Sequence, residues 1–188
     1  MNVLVKSVEA EYRRYKAMAE GAFGQVPDDK LSEPGPGNGN SLAIICWHLS
    51  GNLKSRFSDF LASDGEKPWR QRDEEFASRT VSRSEFMDKW NDGWDVLLST
   101  LESLTDDDLF KSVTIRGQSL QVHEALNRSV THLSYHVGQI VYIAHAIVGN
   151  DWKYLSIPPG GSAAYNANPV LEKPLNYADR VLEKSTER

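Results

Sequence analysis

The chain has 188 residues, of which 40% are hydrophobic and 25% are charged, and its formal net charge is −5. A chain of this length can bury a sizeable core as one domain, and an acidic protein is not expected to bind nucleic acid. The N-terminal residues lack the basic and apolar segments of a secretory signal, and no apolar run approaches the ~20 residues that cross a bilayer. We therefore expect one cytoplasmic domain over residues 1–188, with no nucleic-acid or membrane partner.

Four long segments carry apolar residues at three- and four-residue spacing, the pattern of a helix with one buried face. They cover about residues 2–23, 41–62, 83–104 and 119–148. Ser119 is the expected N-cap of the fourth. Residues 109–118 are expected to hold a brief extended piece with a turn at Arg116 and Gly117, and residues 150–188 form a long C-terminal tail. The sequence thus predicts an all-α protein, a four-helix bundle.

Two of the predicted helices carry polar side chains along a core-facing line. His132 and His136 lie four residues apart, so they project from one helical face about a turn apart. Two imidazoles at that spacing can share one metal ion. In the second helix His48, Asn52 and Arg56 also follow at four-residue intervals, and polar groups in such positions need partners or water. The two lines predict a pocket in which the three histidines bind a divalent metal ion.

Helical phase separates the remaining histidines and the single cysteine from this line. His123 and His145 each lie nine residues from one member of the pair in the fourth helix, which places them about 180° away. Cys46 lies two residues before His48, about 200° around its helix. We therefore expect His123 and His145 to have surface or packing roles, and we expect no cysteine ligand.

Three neutral imidazoles suit Zn²⁺, Ni²⁺, Co²⁺ or Fe²⁺. No fourth protein ligand is evident in the sequence, so at least one coordination position would be open to water or substrate. Open sites are typical of catalysis, whereas sites with four protein ligands are typically structural. Further candidates to line the pocket are Arg128, Tyr135 and Gln139.

Residues 63–76 form a polar connection that is long for a link between two helices. Long loops in compact domains are often functional. The segment can serve as a lid over the pocket or as a surface loop with salt bridges. Arg56 has two corresponding interpretations: it meets an anionic ligand, or it forms an ion pair with an acid of this loop, such as Asp64 or Glu66.

The arrangement resembles the DinB-like metal-binding superfamily, in a branch of uncharacterised function. The likeness combines one histidine in the second helix with a His-x-x-x-His motif in the fourth, and it covers most of residues 1–150. The segments that carry it are Trp47-His48-Leu49-Ser50-Gly51-Asn52-Leu53, Arg56-Phe57, Asp64-Gly65-Glu66-Lys67-Pro68-Trp69-Arg70 and His132-Leu133-Ser134-Tyr135-His136-Val137-Gly138-Gln139-Ile140.

The resemblance implies an up-down-down-up four-helix bundle, a divalent metal bound by His48, His132 and His136, and a homodimer. Characterised relatives include enzymes that add a low-molecular-weight thiol to a substrate. We therefore expect a metal-dependent enzyme of the thiol-transferase or hydrolase kind, acting on a small molecule. The alternative is a non-catalytic metal-binding or stress protein in which the ion is structural and the homodimer is the working unit. No residue pattern singles out a thiol cofactor, a catalytic residue or one metal.

Overall fold

A computed structural model describes residues 2–186 of the chain. Within that range the protein is mostly helical, with six α-helices and one antiparallel two-stranded sheet. The helices are α1 (Val3–Phe23), α2 (Leu42–Phe57), α3 (Arg83–Ser103), α4 (Val122–Val148), α5 (Ser162–Ala167) and α6 (Pro174–Thr186), and the strands are β1 (Ser112–Ile115) and β2 (Gln118–Gln121). In the described part of the chain, every helix is too short or too polar to cross a bilayer.

The long helices share one hydrophobic core, in which α2 packs on α3 and α1 packs on α4. Trp90 and Trp94 of α3 are fully buried there, and Phe23 meets the edge of Trp90 with ring centroids 5.3 Å apart. The buried hydroxyl of Tyr12 in α1 donates to the carbonyl oxygen of Leu126 in α4 at 3.0 Å. A buried hydroxyl needs such a partner, so this bond ties the two helices together inside the core.

A glycine sets the spacing between α2 and α3. A Cβ added at Gly93 would lie 2.6 Å from the Cα of Ser50 in α2, closer than real Cβ atoms approach backbone. The missing side chain therefore allows the two helix backbones to come together at this point.

The second helix is shorter than the sequence predicts. It ends at Phe57 rather than near residue 62, because Ser58 is extended with ψ 129° and Asp59 has a positive φ of 47°. The apolar spacing continues past Phe57, since Phe60 is also buried. The spacing of the apolar residues therefore made the predicted helix too long, because the turn that follows α2 also packs on the core.

The predicted start of the fourth helix at residue 119 is also wrong. Ser119 lies in β2, which pairs with β1 in the register Ile115↔Gln118, and α4 begins only at Val122. The turn expected at Arg116 and Gly117 is confirmed. Both residues have a positive φ, 54° and 71°, as the two-residue turn of a tight hairpin requires.

The C-terminal tail ends in the helix α6, which packs on α1. Tyr177, Ala178 and Val181 are buried residues of this helix. Gly21 of α1 leaves room for this contact, since a Cβ there would lie 2.6 Å from the Val181 side chain. The predicted tail is therefore part of the packed structure as far as it is described, and residues 187–188 lie outside the described range.

Candidate metal centre and pocket

Three histidines from two helices converge at one point. His48 lies on α2, and His132 and His136 lie on α4. The Nε2 atoms of His48 and His132 are 3.2 Å apart, and one ring nitrogen from each of the three residues lies within 4.8 Å of the other two. His48 and His136 are buried, and His132 is half-buried. The two polar lines predicted from the sequence, one on α2 and one on α4, therefore face each other.

This donor set fits a divalent metal ion. Zinc–nitrogen bonds of about 2.0–2.1 Å in a tetrahedral site place two ligand nitrogens about 3.4 Å apart, close to the 3.2 Å between His48 and His132. Among the histidine, cysteine and acidic side chains that the structure describes, these three form the one cluster with such spacing, and it has no fourth member. Three histidine ligands would leave at least one position of a tetrahedral ion for water or a substrate.

His48 is oriented by a buried carboxylate. Its Nδ1 lies 2.9 Å from Oε2 of Glu75. Because an ionised carboxylate only accepts hydrogen bonds, Nδ1 carries the proton and Nε2 keeps a free lone pair for a metal. A Cβ on Gly51 would clash with the Glu75 carboxylate, so the glycine makes room for Glu75 beside α2.

Arg70 holds the Glu75 carboxylate with a two-pronged ion pair. Its Nε donates to Oε1 at 2.8 Å and its Nη2 donates to Oε2 at 2.9 Å, and only 2% of the Arg70 side chain is exposed. Burial by itself raises the pKa of Glu75, but the hydrogen bonds from His48 and Arg70 outweigh it and hold this pKa below its ordinary value. Glu75 therefore stays ionised and accepts from both partners.

The histidines of α4 are held in the neutral form that binds metals. Nδ1 of His136 donates to Oε1 of Gln139 at 2.8 Å, which leaves its Nε2 unprotonated. Burial, followed by the neighbouring histidines, lowers the pKa of His132 to about 4, and burial likewise lowers the pKa of His136 to about 4. At neutral pH both rings are therefore uncharged, which is the state in which imidazole binds a metal ion.

The histidines lie in the wall of a pocket of about 270 Å³ that opens to solvent. Part of the wall is apolar and includes Phe57, Phe60, Phe76 and Ile115. The rest is basic and contains five arginines, Arg56, Arg70, Arg72, Arg116 and Arg128. A concave site with an apolar wall and a few converging polar groups is typical of small-molecule binding.

The long loop of residues 63–76 supplies one side of this pocket. The Asp64 carboxylate accepts the backbone N–H groups of Arg116 and Gly117 at 2.8 Å each, which anchors the loop to the hairpin turn. At its other end the Phe76 ring lies 4.7 Å from the His48 ring. The loop is thus packed against the site at both ends and contributes Arg70, Arg72 and Phe76 to the wall.

Three of the predicted pocket residues, Asn52, Arg56 and Arg128, line the pocket. Arg56 also makes the ion pair that the sequence left open, with Nη1 and Nη2 each 3.2 Å from Oε2 of Glu66. The ion-pair interpretation is therefore confirmed. Arg56 also lines the pocket, and its contact with an anionic ligand stays a prediction.

Tyr135 and Gln139 lie outside the pocket lining. Tyr135 is 64% exposed and touches His136 with the edge of its ring, at 5.0 Å between centroids. It precedes His136 by one residue, a rotation of about 100° that carries it to the surface. Gln139 faces His136 from outside, and its Oε1 accepts a hydrogen bond from the Nδ1–H group of His136.

The residues that helical phase excludes lie elsewhere. His123 is bonded through Nδ1 to the carbonyl oxygen of Leu109 at 3.1 Å. His145 is exposed and stacks on Trp152 with ring centroids 5.0 Å apart. Cys46 is buried against α3, with Sγ 3.5 Å from the carbonyl oxygen of Phe86.

Sequence reasoning missed the loop residues of the site, Arg70, Arg72 and Glu75. They stand in a highly charged segment that has the composition of a solvated surface. Glu75 directly follows two acidic residues in the sequence. Its side chain is buried only because the loop folds against α2. One available signal was Phe76, an apolar residue that directly follows Glu75.

A family model described as a protein of unknown function, DUF1572, matches residues 2–161. The match includes all three histidines, the loop of residues 63–76 and the hairpin, and it ends just before α5. A search of curated proteins and a search of solved structures each found no match. Because the model spans most of the chain, the protein belongs to the DUF1572 family of proteins of unknown function.

Proposed function

We propose that this protein is a metal-dependent enzyme of the thiol-transferase or hydrolase kind, with His48, His132 and His136 as the ligands of one divalent ion. The observation that carries the proposal is the position of the three histidines in the wall of an open pocket. Zn²⁺, Ni²⁺, Co²⁺ and Fe²⁺ all suit three imidazoles. The resemblance to the DinB-like superfamily supports the same function, together with a four-helix bundle and a homodimer.

The residues of the chain prepare the site for such an ion. Glu75 and Gln139 hold His48 and His136 with Nε2 free, and Arg70 fixes Glu75 in turn. A divalent ion held there would lower the pKa of a bound water or thiol and so make it a better nucleophile at neutral pH. The apolar part of the wall, with Phe57, Phe60 and Phe76, would shield one side of a bound substrate from water.

The test starts with the metal content of the purified protein. We expect about one divalent ion per chain, lost in His132→Ala and kept in His123→Ala, whose side chain lies outside the site. Low-molecular-weight thiols are then screened with electrophiles, and ester and amide substrates are screened alone. Turnover that disappears in His132→Ala supports the proposal. A folded protein that takes up none of the four metals overturns it.

The alternative function is a non-catalytic protein in which the ion ties α2 to α4. Its supporting observation is that the three ligands come from these two helices. The cobalt form separates the two functions, because its visible spectrum reports the ligands of the ion. A spectrum that changes when a thiol is added indicates an open position. An unchanged spectrum together with a large loss of stability on chelation supports the structural role.

A further inference from the structure

The pocket carries more positive charge than its carboxylate neighbours neutralise. Five arginine side chains line it, and the lining residues that the structure describes include no carboxylate. The whole chain has a net charge of −5, so this is a local concentration of the opposite sign. Such a charge in a concave site raises the local concentration of anions.

Three of the five guanidinium groups form ion pairs with two carboxylates that lie behind the wall. Glu75 is paired with Arg70. Glu66 is shared, since its Oε2 lies 3.2 Å from Nη2 of Arg56 and 3.0 Å from Nε of Arg116. Three positive charges thus face two negative ones, which leaves an excess of one on this side of the pocket.

The other two arginines lack an effective counter-charge. Arg72 lies 4.0 Å from the Asp73 carboxylate, but half of its side chain is exposed and Asp73 is fully exposed, so the pair contributes little. Its guanidinium stacks 5.0 Å from the Phe76 ring centroid, which orients it. Arg128 is exposed, and its guanidinium makes no hydrogen bond or ion pair within the described residues. The five arginines and the two carboxylates behind the wall therefore leave an excess of three positive charges.

We propose that the substrate of this pocket carries a carboxylate or phosphate group, and that Arg128 is its main contact. A guanidinium matches either group with two parallel hydrogen bonds. Arg128 lies one helical turn before His132 on α4, about 6 Å along the axis, so the anionic group binds beside the histidines rather than between them. This inference rests on the proposed function in taking the pocket as a substrate site, and it names the chemical class of the substrate.

The test is a calorimetric titration of the full-length protein with inorganic phosphate and with acetate, at constant ionic strength because salt screens exposed charges. Acetamide is the neutral counterpart of acetate, and the metal content of each sample is measured. We expect the anion that the pocket prefers to bind roughly tenfold or more weakly to Arg128→Gln. Arg180→Gln is the matched control, because Arg180 is an exposed arginine of α6 without an ion pair among the described residues.

A loss of anion binding in Arg128→Gln, with metal content and circular dichroism unchanged, supports the inference. Arg128→Lys keeps the charge without the planar fork and should fall between the wild type and Arg128→Gln. Three results would overturn the inference. The anion could bind equally to the wild type and to Arg128→Gln, or acetamide could bind as tightly as acetate. The third is that neither anion binds at millimolar concentrations. A folded protein that takes up none of the four metals, but still binds the anion through Arg128, would refute the metal function and leave the anion site standing.

Discussion

Replacing Glu75 with glutamine tests whether the buried carboxylate organises the metal centre. Glu75 accepts one hydrogen bond from His48 and two from Arg70, and it is 7% exposed. Glutamine keeps one acceptor oxygen but turns the other into an NH₂ group. If the NH₂ group faces Arg70, Arg70 loses an acceptor. If the NH₂ group faces His48, the His48 proton must move from Nδ1 to Nε2, and a protonated Nε2 cannot bind a metal.

The magnitude follows from the burial of the ion pair. Removing one partner of a buried pair costs about 3–5 kcal/mol. Since glutamine retains one acceptor for Arg70 or His48, we expect a loss at the lower end, about 3 kcal/mol. For a chain of this length that corresponds to a fall in Tm of roughly 6–12 °C. Loss of a carboxylate that orients a metal-binding histidine weakens metal affinity by about 10- to 100-fold.

The assay is urea unfolding together with a competition titration against a metal chelator, both on Glu75→Gln. Glu74→Gln is the matched control, because Glu74 is the exposed preceding residue and makes no side-chain ion pair among the described residues. It should leave the free energy of unfolding and the metal affinity at wild-type values. A Glu75→Gln protein that loses stability but binds metal as tightly as the wild type would refute the orienting role and leave only a structural ion pair.

Three further predictions follow from the site and the helix contacts. Alanine at His132 or His136 should abolish stoichiometric metal binding, whereas alanine at His123 should leave the metal content measured by mass spectrometry unchanged. In metal-free protein the free energy of unfolding should fall as the pH drops from about 6.5 to 5. The reason is that His132 and His136 take up protons at an ordinary pKa when unfolded, but only near pH 4 when folded. Gly93→Ala should destabilise the fold by about 1–3 kcal/mol through its contact with α2. The control for Gly93→Ala is Gly138→Ala, where the added Cβ meets nothing within 4 Å and should stabilise the fold by about 0.4–1 kcal/mol in thermal unfolding.

Each of these expectations has an outcome that contradicts it. Metal lost from His123→Ala would mean that the helical phase of α4 is wrong. A free energy of unfolding that is constant between pH 6.5 and 5 would contradict the second prediction. So would a pH dependence that is unchanged in a His132→Asn/His136→Asn variant. Either result would show that these two residues take up protons as readily in the folded state as in the unfolded state. A Gly93→Ala protein as stable as the wild type would show that α2 and α3 can separate at no cost.

The sequence by itself determined the four long helices, though not all of their ends, and the helical phase of the histidines. A helix repeats every 3.6 residues whatever it packs against, so spacing within one segment placed His132 and His136 together and His123 and His145 apart. The apolar stripes likewise located the cores of α1 to α4. These are local properties, and local spacing is sufficient to read them.

Only the tertiary structure decided where the helices end and what surrounds the histidines. Apolar spacing continues through residues 58–62, but the backbone turns at Ser58 and Asp59, and Ser119 pairs with a strand rather than capping a helix. The side chains of Glu75 and the pocket arginines are charged, and composition assigns such residues to the surface. Their burial or convergence depends on a loop that folds back on α2 and is anchored by Asp64 to a distant hairpin. Contacts between residues far apart in the chain have no periodicity along it, so they emerge only when the whole chain is folded.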